Sequence, residues 1–140
     1  MSRNLTLGIL QFNASRNKNT NIEKIMEFLK DISADLVIVP EYSMANITGM
    51  TPPEVYKIAE SIDGNYVSKL SRIAAENSTY MVLTLFEKTN KPPKVYNTAI
   101  LISPNGDVIG IYRKIHLFDA YGYRESDYME AGLEPSPIID

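Results

Sequence analysis

The chain has 140 residues, 44% hydrophobic and 22% charged, with a formal net charge of −3. Such a length suits one domain with a buried core, and the composition is that of a globular protein rather than a disordered one. The acidic balance leaves no electrostatic footprint for nucleic acid or an anionic membrane. The lack of cysteine excludes disulfides and thiolate zinc sites, and a single histidine excludes a multi-histidine metal site within these residues.

Residues 5–12 (LTLGILQF) alternate and carry aliphatic side chains, which predicts a strand; the run is too short for a membrane span and reads as a strand rather than a signal peptide. The expected compartment is the cytoplasm. A polar loop follows over residues 13–19. Thr20 and Glu23 have the spacing of a capping box. Ile22, Ile25, Met26, Leu29 and Ile32 recur at helical spacing, so an amphipathic helix is expected to about Ser33. Leu36–Val39 is an unbroken apolar run, as in a strand covered on both faces. Strand, helix, strand predicts a right-handed parallel crossover.

Pro40 ends that strand's hydrogen bonding, and Glu41 to Thr51 reads as a loop. Pro52-Pro53 opens a short helix continuing through Glu54 to Ser61. Asp63-Gly64 breaks it, and a second helix is expected over residues 65–77, with Val67, Leu70, Ile73 and Ala74 on one face. Tyr80–Phe86 is another apolar strand, Glu87–Lys94 a polar turn and Val95–Ile102 a strand. Ser103–Asp107 carries proline and glycine in turn positions, so Val108–Arg113 returns as the second arm of an antiparallel hairpin. Periodicity is weak over residues 117–137, where Tyr121, Tyr123 and Tyr128 suggest either an aromatic pocket wall or surface packing. Pro137–Asp140 begins what reads as another strand. No repeat, low-complexity tract or linker interrupts a single domain over residues 1–140.

Two features carry possible chemistry. Glu41 follows a buried strand, and sites in open α/β sheets are built at the carboxyl ends of parallel strands; the other reading is a carboxylate capping a backbone N–H or pairing with a surface cation. Lys114, beside Arg113 at a strand exit, is either a solvated cation or a site residue. His116 lies among Ile115, Leu117 and Phe118 and reads as packed and hydrogen-bonded. Ser43, Ser126 and Ser136 read as turn or surface hydroxyls.

The ordered set Gln11-Phe12-Asn13, the strand ending in Pro40-Glu41, Tyr96-Asn97-Thr98, Asn105-Gly106, Tyr112–Phe118 and Glu125–Gly132 resembles the N-terminal half of the carbon–nitrogen hydrolase, or nitrilase/amidase, superfamily. The resemblance implies an α/β fold, the N-terminal portion of an α-β-β-α four-layer sandwich with two mixed sheets face to face. It implies a Glu-Lys-Cys site without cofactor or metal, in which Glu41 is the general base, Lys114 stabilises the oxyanion, and Glu125 positions substrate and lysine. The implied reaction is hydrolysis of a small amide, carbamoyl compound or nitrile. The family's nucleophilic cysteine lies downstream of the lysine, beyond these residues, so the domain is expected to be incomplete at its C-terminus and inactive alone. The implied partners are a small amide or nitrile substrate and a complementary C-terminal chain or further copies of this one, with no nucleic acid and no membrane. The alternative is a non-catalytic small-molecule-binding or assembly module on the same scaffold.

Overall fold

A computed structural model describes residues 4–139. The predicted crossover forms: β1 (Leu7–Ile9) pairs in parallel with β2 (Leu36–Ile38), and α1 (Lys18–Lys30) connects them. Asn17, not Thr20, caps α1; its side-chain oxygen accepts the N–H groups of Asn19 at 2.9 Å and Thr20 at 3.4 Å. The Thr20/Glu23 pair therefore lies inside the helix and makes no capping box. The helix stops at Lys30, and Ile22, Ile25 and Leu29 are buried while Met26 is exposed.

Helices α2 (Pro52–Ile58) and α3 (Asn65–Glu76) follow, the first with both prolines in its opening turn. The remaining strands of the sheet are β3 (Tyr80–Lys88), β4 (Val95–Ile102) and β5 (Val108–Arg113). β3 joins β2 in parallel, and β4 and β5 add antiparallel, giving one five-stranded mixed sheet in the order β1-β2-β3-β4-β5. The hairpin turn forms as read, with Gly106 at φ 88°.

Residues paired across a ladder share a face. One face carries Val37, Met81, Leu83, Ile100 and Ile102, all buried with Ile25, Leu29, Leu70 and Ala74 in one core. The opposite face carries Leu7, Ile9 and Tyr80, exposed by 49%, 68% and 43%. Two face-to-face sheets were expected; among the described residues there is this sheet and a two-stranded ribbon, β6 (Asp119–Ala120) with β7 (Tyr123–Arg124). The ribbon turns through Tyr121 and Gly122, both at positive φ (53° and 79°), as a two-residue hairpin of the type whose twist suits the strands.

Three further expectations differ. β3 runs on through Glu87 and Lys88, because Glu87 is buried and takes a partner from β5. Residues 137–139 form no strand, having no ladder partner, and Asp140 lies outside the described residues. His116 is exposed and makes no hydrogen bond among the described residues, since the Ile115–Phe118 segment leaves the sheet instead of packing into it.

Candidate active site

The carboxyl ends of β2, β3 and β5 lie at one edge of the sheet, because β5 is antiparallel to β4 and hence parallel to β3. Glu41 follows the first of these strands and Lys114 the last. Glu125 lies on a single 3-10 turn (Glu125–Asp127) directly after β7. The three predicted site residues meet, Glu41 lying 73 residues before Lys114 and Glu125 only 11 after it.

The Lys114 Nζ lies 3.0 Å from Glu41 Oε1 and 3.0 Å from Glu125 Oε2. The Lys114 main chain is held on both sides: its N–H donates to the Asn97 carbonyl at 2.9 Å, and its carbonyl accepts the Gly132 N–H at 2.8 Å. Gly132 is needed there, since a Cβ on it would lie 2.1 Å from the Arg113 carbonyl oxygen. On the helix-covered face of the sheet, Arg113 donates two hydrogen bonds to buried Glu87, which also accepts from Thr98 Oγ1 at 2.7 Å. That fork ties the exit of β5 to β3.

Two side chains outside the predicted set complete the cluster. Asn97, a polar break in the apolar β4, donates to Glu41 Oε1 at 2.6 Å and lies 3.2 Å from Glu125 Oε1. Tyr42 donates its hydroxyl to Glu125 Oε1 at 2.9 Å. The Phe118 N–H donates to Glu125 Oε2 at 2.7 Å.

The two carboxylates are therefore unlike. Glu125 is 1% exposed and accepts on both oxygens. Burial pushes its carboxyl up, but the Phe118 N–H, then Lys114, Tyr42 and Asn97, outweigh burial and hold it below the usual carboxylate range. Glu41 has a side chain 48% exposed, and its Oε2 takes no hydrogen bond among the described residues. One carboxylate is thus fixed as an anion beside the lysine; the other keeps an oxygen free for a proton. Burial pulls the Lys114 ammonium down, and its hydrogen bonds to Glu41 and Glu125 outweigh that, raising it above the ordinary lysine value. It stays a cation.

Glu41 also lines a cleft of about 520 Å3 with Phe12, Asn13, Tyr42, Asn46, Tyr123 and Tyr128. Of the tyrosines read as a pocket wall, Tyr123 and Tyr128 line this cleft and stack at 6.2 Å, whereas Tyr121 is 99% exposed. Ser43 corrects its surface reading: it is fully buried beneath the turn that follows β2, its Oγ 3.4 Å from the Tyr66 hydroxyl. Among the described residues, no group of three or more His, Cys, Asp or Glu side chains is arranged to hold a metal, and no helix is long and apolar enough to cross a membrane.

Glu41, Lys114 and Glu125 thus share one end of an α/β sheet, and comparison with known proteins assigns the chain to a family. The carbon-nitrogen hydrolase family model matches residues 6–140. A nitrilase of Pyrococcus abyssi is 35% identical over 80% of this chain and 42% of its own length. An omega-amidase of Homo sapiens is 32% identical over 81% of this chain and 41% of its own length. The crystal structure of the C. elegans NitFhit protein shares the fold with a TM-score of 0.82 at 22% identity, covering 93% of this chain and 34% of that one. The chain belongs to the carbon-nitrogen hydrolase family, and its fold is the N-terminal portion of the nitrilase-like α/β fold. It spans less than half the length of these curated relatives.

Proposed function

We propose that these residues supply the base and the cation of an amidase-like carbon–nitrogen hydrolase site whose thiol comes from polypeptide outside residues 1–140. The substrate is a small amide, carbamoyl compound or nitrile, and the expected setting is the cytoplasm. The observation that carries this reading is the Glu41–Lys114–Glu125 cluster, with one carboxylate oxygen left free.

With an amide substrate, Glu41 takes the thiol proton as sulfur bonds to the carbonyl carbon, and the Lys114 ammonium neutralises the oxyanion. The C–N bond breaks, the amine leaves with the proton from Glu41, and a thioester remains. Water adds with its proton passing to Glu41, the acid departs, and the proton returns to sulfur. Glu125 keeps Lys114 in place. The uncovered sheet face, with Leu7, Ile9 and Tyr80, is where a complementary C-terminal chain or a further copy is expected to pack.

The test is made in the thiol-containing assembly. Glu41→Gln and Lys114→Ala are each expected to lower kcat for a small amide by on the order of 10²–10⁴. Unchanged kcat in either variant would remove that residue from the mechanism. The absence of cysteine from the chain favours a second reading, a binding module. Saturable binding of small amides by the chain, with no turnover in any assembly, is the outcome that selects it.

A further inference from the structure

Tyr42 stands out in the turn after β2. Its backbone is left-handed at φ 62°, a conformation that is strained for a bulky side chain and shared among the described non-glycine residues only by Ser78 and Tyr121. In extended backbone consecutive side chains point to opposite sides. Here residues 41 and 42 both reach one cluster: Glu41 meets Lys114 and Asn97, and Tyr42 meets Glu125. The Ser43 N–H closes the turn on the Pro40 carbonyl at 3.3 Å. The Tyr42 ring sits edge-on against Phe86 at 5.4 Å, and its hydroxyl lies 3.4 Å from that of Tyr123 at the cleft.

We propose that Tyr42 is a positioning residue of this site: the strained turn aims its hydroxyl at Glu125, fixing that carboxylate and, through it, the Lys114 ammonium in register with Glu41. Among the described residues the hydroxyl is the one neutral oxygen donor to Glu125, and the same turn delivers the base. Backbone strain at residue 42 thus serves two side chains at once. Burial, with Tyr123 and Glu125 adding to it, pushes the Tyr42 hydroxyl well above the ordinary tyrosine range, so it remains a donor.

The inference rests on Glu41 and Lys114 being base and oxyanion donor, but its test has readouts of its own. In the unaltered chain, the Tyr42 ring carbons followed by NMR are expected to show no ionisation at the ordinary tyrosine midpoint of about 10; ionisation there overturns the proposal. In Tyr42→Phe, which keeps the ring on Phe86, the Glu125 carboxyl carbon is expected to titrate at higher pH than in the unaltered chain. Tyr56→Phe, which removes a hydroxyl bonded to the Thr89 carbonyl and not to Glu125, should leave that titration unmoved. Identical Glu125 titration in the two variants overturns the proposal. In the thiol-containing assembly, Tyr42→Phe should lower kcat about tenfold with KM unchanged, and an unchanged kcat overturns it. If no assembly turns over amides, the hydrolase reading fails, and the two titrations alone decide the role of Tyr42.

Discussion

At the scale of the residue, the site depends on how the Lys114 main chain is clamped. Gly132 touches the Arg113 carbonyl so closely that no other side chain fits without moving backbone. Gly132→Ala is expected to lower the unfolding free energy by about 1–3 kcal/mol in urea titrations, the usual cost of overpacking; a stability equal to that of the unaltered chain would show that the Ala131–Gly132 strap is not fixed there. The charges set a second expectation. A carboxyl whose folded-state value is depressed adds stability above its unfolded value of 4.5 and loses it as pH falls through the lower folded value. A lysine whose folded value is raised adds stability below 10.5 and loses it as pH rises through the higher folded value. The urea midpoint should therefore fall on acidification below about 4.5, and Glu125→Gln should flatten that limb relative to the unaltered chain. An acid limb of unchanged slope in the variant would remove Glu125 as its source. That Glu41, Lys114 and Glu125 come together was legible from the ordered set of segments and not from any one of them, since Glu41 and Lys114 each also fit a surface charge. Tyr42 was not, since a left-handed tyrosine leaves no compositional mark, and His116 misled because apolar neighbours in sequence did not become neighbours in space.

At the scale of the element, the hairpin of β4 and β5 was readable to its ends because Ser103–Asp107 fixes both termini chemically. The start of α1 was not, because two capping signals overlap and only one can act. Asn17 has extended backbone and receives two helix N–H groups, while Thr20 is already helical. Asn17→Ala should cost about 1 kcal/mol of stability and Thr20→Ala less than about 0.5 kcal/mol, measured side by side by thermal unfolding. The reverse order would restore Thr20 as the cap. The length of β3 was hidden for a different reason. Glu87 reads as a polar turn residue in any local window, and only its fork with Arg113, 26 residues on, makes it part of a strand.

At the scale of the molecule, one face of the sheet is covered by helices and the other is not. The crossover pattern made the α/β class legible, but the second sheet of the expected sandwich is not formed by the described residues. Exposed apolar side chains along Leu7, Ile9 and Tyr80 favour association. Ile9→Lys is expected to reduce self-association in light scattering and to lower binding of an apolar dye. An unaltered monomer with little dye binding would mean that this face needs no partner. The most direct measurement of the central claim is ammonia release from a small primary amide. It is followed for residues 1–140 alone and for the same residues joined to the polypeptide that supplies a cysteine. Release by the joined form only, lowered by on the order of 10²–10⁴ in Lys114→Ala, is the predicted result. Sustained release by residues 1–140 alone, or release at an unchanged rate by the joined form carrying Lys114→Ala, would contradict it.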